Sequence, residues 1–562
     1  MSTRSLLVYA PWVPCQLEAL MPQHVLAALA GALVADGHET EILDYGTLRG
    51  LRTLARPGVR AAGTQMADSG VTPQKHNWRS WWLDRQIRSL NAVLAEAVSA
   101  HHMAVALQIA DRGALDFMVY LLNTRGDVAA AASIAGTVRQ WCPNLPQLVV
   151  GPFAERHAGL LLSERGEFDG ALTGDIELGI REWAPVSGRR HAWREASSLV
   201  YREDGGIVRT PVRRVPSLEA LPAPCYDRPV YPALAGGEKL HLYTVEQSRG
   251  DSSPGCGKGA SRFGPVRVRG SKDTLASLQR LMRLHGAMAF HIAGSGTPSA
   301  QCDCLAYDLV AFGKPVRYSR STGIRHIDPA TTRALYSSGC RAAEVRADTG
   351  SQRLLDDFYG SGFGVTRMEE ALRACRRAGL YTALRLTYPC PQDDYHTHAE
   401  TLRLLQRCKP DSVAVAPAEP EEGSMWLQRA PSFGFRADWS RYGKWAGARD
   451  LRPAWAPPAV LFLPYRMAGW STQGIARGYS GFCEDVAAMG IAHDVGARAA
   501  LLAAMTRGVE QDRYLARIYR ALYTFDMRAL EELMDCFNRR ALAPVNTVRF
   551  HPYTPVLAAV GN

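Results

Sequence analysis

Apolar residues along the first part of the chain come in short runs separated by stretches of helical period. SLLVYAPW is an apolar run that ends in proline, and in QHVLAALAGALVADGH the residues Leu26, Leu29 and Leu33 recur at helical intervals up to Asp36-Gly37. ETEILDY reads as a second strand, MAVALQIA as a third, LPQLVVGPF as a fourth and FDGALTGD as a fifth, with helices between them. Strand–helix alternation with apolar strands predicts an α/β domain over residues 1–185, a Rossmann-like doubly wound parallel sheet. A ligand of such a sheet sits at the carboxyl ends of its strands. Residues 49–102 interrupt the alternation as an insertion, Gly- and Arg-rich at first and then carrying Trp78, Trp81 and Trp82 beside a helical run. That tryptophan cluster reads as a packing interface between domains.

Residues 186–235 are rich in Arg, Pro and turn formers and read as a linker, although SSLVYRED within them is strand-like. The alternation resumes over 236–430, with strands at KLHLYTVE, AMAFHIAG, PVRYSRST, AAEVRADT, YTALRLTYP and SVAVAPAE. Helices are expected at 271–285, 303–312, 329–338, 366–378 and 397–408. These strand–helix units predict a (β/α)6 partial TIM barrel with its chemistry at the strand ends. Residues 431–562 read as a mainly helical C-terminal domain that caps the barrel and contacts the substrate. There YRMAGWSTQG, with Tyr465, Arg466 and Trp470, forms either a pocket or a helix-packing surface.

A length of 562 residues calls for two to four domains. The absence of a long uninterrupted apolar stretch and of a signal-like N-terminus leads us to expect a cytoplasmic protein without a membrane partner. The formal charge of +11 comes from scattered arginines with no basic tract interleaved with aromatics, so no nucleic-acid partner is expected. The twelve cysteines are spread too widely for a disulfide scaffold. Their one close pair, Cys302 and Cys304 in QCDC, lacks the second pair that a zinc site needs.

The segment QSRGDSSPGCGKGASRF follows the first strand of the second block and has the frame of a metal-binding loop with a single thiol, Cys256. Together with PQHVLAALAGALVADGHETEILD, VVGPFAERHAGLLLSERGEFDGALTGDIE and the stretch from HIDPATTRALYSSGC to LRLTYPCPQDD, it makes residues 5–430 resemble the cobalamin-binding radical S-adenosylmethionine (SAM) enzymes. The resemblance implies a cobalamin site at the first sheet's strand ends, with Pro11, Gln108, Gly151, Pro152, Gly174, Asp175 and Glu177 as cofactor-binding residues. The Asp-x-His-x-x-Gly signature that supplies an axial His to cobalt is absent, so cobalamin is expected to bind without a protein imidazole, as the resemblance also implies.

In the barrel, the resemblance assigns Gly294, Ser295 and Gly296, and then Asp348, Thr349, Gly350 and Ser351, to a SAM-binding rim. Pro391, Gln392 and Asp393 occupy the family's Pro-Gly-Glu positions, and Gly423 and Ser424 the turn after the sixth strand. The three cluster cysteines are replaced by Asp251, Gly255 and Lys258, so a 4Fe–4S cluster is expected to be absent. A site rebuilt from Cys256, Cys302 and Cys304 is the alternative. Arg249 and Lys258 are then candidates to hold a ligand carboxylate, and Tyr388, Asp348 and Glu419 are the catalytic candidates, with His291 beside them as an acid–base group. The implied activity is cobalamin-dependent, non-radical methyl transfer to a small metabolite or natural-product intermediate, with an external reductase as partner. A rearrangement or cyclisation without SAM cleavage, and a non-catalytic binding protein, are the alternatives.

Overall fold

The computed structural model describes residues 2–12, 16–68, 78–250, 264–418, 430–437, 465–506 and 511–542. The first domain is built on β1 (Arg4–Tyr9), β2 (Glu39–Asp44), β3 (Phe117–Leu121), β4 (Gln147–Val150) and β5 (Gly170–Leu172), which are all parallel and run in the order 2-1-3-4-5. Its helices are α1 (His24–Ala35), α2 (Leu48–Leu54), α3 (Pro57–Asp68), α4 (Trp78–Ala110), α5 (Arg125–Trp141), α6 (Pro152–Glu164) and α7 (Ile176–Trp183).

Two parts of the sequence reading are corrected here. MAVALQIA is not a strand but the last turns of α4, and the third strand is FMVYL at 117–121. On that helix Val105, Ala106 and Ile109 are buried while Met103 and Leu107 stay about half exposed, which is a helical stripe. The supposed linker also contributes to the first sheet. β6 (Leu199–Glu203) adds antiparallel to β5, and β7 (Gly206–Arg209) adds antiparallel to β6. Asp204 and Gly205 between them both have positive φ, the geometry of a tight hairpin turn. Trp78, Trp81 and Trp82 fall within α4, but their side chains lie outside the described residues.

The second sheet carries β8 (Leu242–Glu246), β11 (Ala289–Ala293), β12 (Arg317–Gly323), β13 (Cys340–Asp348), β14 (Tyr381–Thr387) and β15 (Ser412–Ala416), all parallel and in sequential spatial order. Two short ribbons flank it: β9 (Ser248–Arg249) with β10 (Arg267–Val268), and β16 (Arg436–Ala437) with β17 (Tyr465–Arg466). A two-residue strand, β18 (Ala492–His493), closes the far edge. The connecting helices are α8 (Ser271–His285), α9 (Ser299–Phe312), α10 (Pro329–Ser337), α11 (Val365–Ala378) and α12 (Tyr395–Cys408). Crossovers of one hand place these helices on one face. Ala343, Val345, Ala347, Leu384 and Leu386 accordingly join the core on that side, and the residues between them line the concave face.

The helices Thr472–Ala488, Ala497–Thr506, Gln511–Thr524 and Met527–Leu542 tie the halves together. The second of these packs Ala497 and Ala500 on Ala342 of β13, the third packs on α3 and the fourth on α2. Leu17–Ala35, apolar enough in length and composition to cross a bilayer, is 78% buried in this core. At the domain joint Asp44 is fully buried and accepts from Lys239, Tyr231 and the Gly46 N–H, while Lys239 also donates to Ala19 O at 3.0 Å.

Gly31 lets α1 touch the following chain, because a Cβ there would lie 2.1 Å from Ala223 O. Gly31→Ala is therefore expected to destabilise the protein by roughly 1–3 kcal/mol through overpacking. Chemical denaturation of the two proteins measures the difference.

Candidate functional site

The carboxyl edge of the first sheet meets the carboxyl end of β8 through an arginine joint. Asp175, just after β5, is fully buried, and its carboxylate accepts from Arg267 (Nη2–Oδ1 3.0 Å), from Arg249 (Nη1–Oδ1 3.0 Å) and from the Val215 N–H at 2.8 Å. Arg249 also donates to Glu177 at 2.8 and 2.9 Å and to Glu246 at 2.6 and 3.0 Å. A guanidinium has five N–H donors, and all five of Arg249 are engaged by these carboxylates. Burial acts to raise the Asp175 carboxyl, but the Arg267 and Val215 hydrogen bonds and the Arg249 charge more than offset it, leaving the pKa below the ordinary value. Arg249 itself is held well above its usual value: burial opposes its charge, and the charges of Glu246 and Glu177 override it.

This arrangement reassigns three residues named from the sequence. Asp175 and Glu177 are occupied as partners of arginines, and Arg249 has no donor left for a ligand carboxylate. Arg249 and Arg267 are in-register partners of the β9–β10 ribbon, so both strands of that ribbon are bound to the first domain. His24, whose Nδ1 lies 3.0 Å from the Tyr226 hydroxyl, borders the joint together with Glu177 and Glu246 in a cavity of about 40 Å³.

The other strand ends of the first sheet are closely packed. Pro11 lines a small cavity of about 10 Å³ with Tyr45, His101 and His102. Gln108, on α4, accepts from the Tyr45 hydroxyl at 3.0 Å. Gly151 (φ +108°) would place a Cβ 2.6 Å from Leu122 O, and Gly174 (φ +70°) one 2.5 Å from Val212. The Gly174 N–H donates to Glu155, and Pro152 opens α6. Between β1 and β3, where the strand order reverses, Trp12 covers Gly126, and its indole Nε1 is buried with no hydrogen-bond partner among the described residues. An unpaired buried donor at the switch point of a doubly wound sheet fits a ligand that carries acceptor groups, as the amide-bearing corrinoid does.

In the barrel, Gly294 and Gly296 follow β11, and Cβ atoms there would lie 2.3 Å from Ser248 Oγ and 2.7 Å from Val266, with Ser295 between them. Asp348 ends β13 at a register shift with φ +62°, and accepts from Arg346 Nε at 2.9 Å and from Thr387 at 3.4 Å. Thr349 and Gly350 are tied to Thr401 of α12, and Ser351 is fully buried with an unpaired hydroxyl. That orphan hydroxyl makes the rim a fit for a ligand with polar edges.

His291 lies on the concave face, 2.9 Å from Ser319 Oγ, and burial together with the charges of Arg498 and Arg320 pushes its pKa well below the usual value. Asp393 is turned inward, accepting from the Cys390 N–H and Thr397, and burial raises its carboxyl. Pro391 is buried beside it and Gln392 is exposed.

Tyr388 departs from its expected place. It follows Thr387, so its side chain belongs to the helix layer, where the hydroxyl meets His398 Nδ1 at 2.9 Å and His398 Nε2 meets Asp485 at 2.9 Å. Its ring stacks on Phe482 at 4.6 Å. This hydrogen-bond chain runs away from the barrel interior. Tyr465 and Trp470 join a core cluster with Phe358, Phe433 and Phe435, which resolves YRMAGWSTQG as packing, while Arg466 is exposed on β17.

Glu419, Gly423, Ser424, Asp251, Gly255, Cys256 and Lys258 lie outside the described residues. Cys302 is buried and Cys304 is exposed on α9, so the pair points to opposite sides of one helix. Among the described residues no three His, Cys, Asp or Glu side chains are grouped to hold a metal.

No protein-family model and no curated protein matches this chain. Solved structures do. A radical SAM methyltransferase, TsrM from Kitasatospora setae, with cobalamin and a [4Fe–4S] cluster bound, superposes with a TM-score of 0.59 at 13% identity, over 94% of this chain and 99% of that one. The fold is that of the cobalamin-binding radical SAM enzymes. TsrM with tryptophan substrate and a SAM analogue bound gives 0.58 at 14% identity over 87% and 89% of the two chains. The cobalamin-dependent SAM radical enzyme OxsB, with aqua-cobalamin and SAM bound, gives 0.51 at 12% identity over 77% of this chain and 56% of its own. The likeness in fold therefore spans nearly the whole chain, both sheets included.

The residues sequence reasoning missed are Arg267, His398 and Asp485, together with Arg346 and Arg385 of the concave face. Only the alternation along β13 and β14 carried a signal for the last two.

Proposed function

We propose that this chain is a cobalamin-binding enzyme of the radical SAM superfamily that works without an iron–sulfur cluster. In this reading it transfers a methyl group by a polar route to a small metabolite or natural-product intermediate. The observation that carries the reading is the replacement of the three expected thiolates by Asp251, Gly255 and Lys258, in a chain whose fold is otherwise that of the superfamily. A hard carboxylate, a bare glycine and an ammonium do not ligate iron as thiolates do. The opposed faces of Cys302 and Cys304 support the same conclusion against a rebuilt site.

The residues fit two bound cofactors. Trp12 Nε1 would meet cobalamin at the edge of the first sheet, where Gly151, Pro152 and Gly174 shape the turns, and Asp348 to Ser351 would meet SAM at the barrel rim, where Gly294, Ser295 and Gly296 shape the turn after β11. Cobalamin, when bound and reduced, supplies a nucleophilic cobalt that needs no radical to take up a methyl group. The chain's own contribution is orientation and acid–base chemistry. His291 is one acid–base candidate at the concave face: Ser319 lies 2.9 Å from its ring, and burial with the charges of Arg498 and Arg320 disfavours its protonated form, so it acts as a neutral hydrogen-bonding group until a substrate anion offsets those charges. Glu419 remains the second acid–base candidate. The partners of this reading are a small-molecule substrate and an external reductase, and its setting is the cytoplasm.

The test is the protein purified without oxygen. Expected are no stoichiometric iron or sulfide, corrinoid absorption after incubation with hydroxocobalamin, and transfer of label from methyl-labelled SAM without release of 5′-deoxyadenosine. Stoichiometric sulfide, or 5′-deoxyadenosine formed in step with product, sinks the proposal.

A further inference from the structure

The register of β13 and β14 sets Arg346 directly opposite Arg385. Both belong to the set that alternates with the core residues Val345, Ala347, Leu384 and Leu386, so both project from the concave face of the barrel. Like charges directly opposite on adjacent strands are destabilising. Neither guanidinium is buried: their side chains are 49% and 61% exposed.

Both arginines donate to carboxylates of β13. Arg346 Nε donates to Asp348 at 2.9 Å, and Arg385 Nη1 donates to Glu344 at 3.2 Å. Among the described residues Arg385 makes no other hydrogen bond, which leaves its Nε and Nη2 available to a ligand at the concave face. A planar guanidinium fork matches a carboxylate in two parallel hydrogen bonds. Glu344 and Asp348 beside it offset part of the positive charge, which disfavours a polyphosphate relative to a singly charged group.

We propose that Arg385, with Arg346 beside it, forms a carboxylate-binding step in the barrel interior, and that the small molecule handled there carries a carboxylate. The inference deepens the proposed function and rests on that reading for the ligand's identity. The carboxylate has two sources, the acceptor substrate or the methionyl end of SAM.

Full-length protein is titrated with acetate at constant ionic strength against chloride, with thermal stability as the readout, and with SAM and decarboxylated SAM by calorimetry. Saturable stabilisation by acetate is expected. Arg385→Gln is expected to weaken it about 10- to 100-fold, and Arg385→Lys by less, as loss of a charge-assisted hydrogen-bond pair implies.

If SAM binding weakens with acetate binding in Arg385→Gln while decarboxylated SAM is unaffected, the methionyl carboxylate is the ligand. If SAM binding is unchanged and acetate still binds in its presence, the ligand belongs to the acceptor. Absence of a saturable acetate effect, or an equal effect in wild type and both variants, overturns the proposal. A cluster found in the protein, or failure to retain cobalamin, would undo the methyl-transfer reading while leaving the acetate result intact.

Discussion

Asp175→Ala is expected to lower the stability of the protein by about 3–5 kcal/mol, because it leaves Arg267 buried without its counter-charge. The residue is fully buried and Arg267 is 8% exposed, so solvent does little to relieve the orphaned cation. Arg249 keeps Glu177 and Glu246, so the effect is concentrated on the β10 side of the stem. Urea denaturation gives the magnitude, and hydrogen exchange at Arg267 and Val268 locates it. A change below 1 kcal/mol would mean that water reaches Arg267 and that the joint is not dry.

The joint also fixes a pH dependence. The folded pKa of Asp175 lies below its unfolded value, so its contribution is complete above the unfolded value and is lost as pH falls through the folded one. Wild type is therefore expected to lose this part of its stability only below about pH 4, and Asp175→Ala to show a flatter acid limb.

The second large effect is a gain. The substitutions D251C, G255C and K258C restore thiolates at the spacing of the family's loop, and the triple variant is expected to take up iron and sulfide on reconstitution while wild type does not. Iron and sulfide analysis, with the broad visible absorption of a cluster, measures the contrast. Equal uptake by both proteins would show that wild type already has a ligand set, and the cluster-free reading would fail.

The barrel was the most legible part of the chain. Its strands are short apolar runs bounded by turn residues, and helices such as Ser271–His285 and Val365–Ala378 have one clear apolar face each. The first domain misled at one point. MAVALQIA is apolar throughout, and so short a run has the same look in a strand and in a helix. Only the partial exposure of Met103 and Leu107 tells them apart. The strands at 199–209 carried a readable Asp-Gly turn signal, masked by the prolines and arginines around it.

Site residues were harder to read because a sequence shows residue types and not partners. Asp175, Glu177 and Arg249 are each suited to a ligand, yet they bind one another across distances in the chain that no motif encodes. Tyr388 stands at a strand end as expected, and one step in the alternation turns it from the interior to His398. Arg346 and Arg385 became neighbours only through the register of two strands.

The ribbon of Ser248–Arg249 and Arg267–Val268 has one more implication. Its anchoring arginines lie outside the segment it encloses, so this contact between the two halves is made by the stem alone. The contacts that join the halves here are thus made by the stem of the ribbon. Exchanging the residues between the two strands for those of another chain is therefore expected to leave the melting behaviour of the joint as it is, and calorimetry of the two proteins checks this.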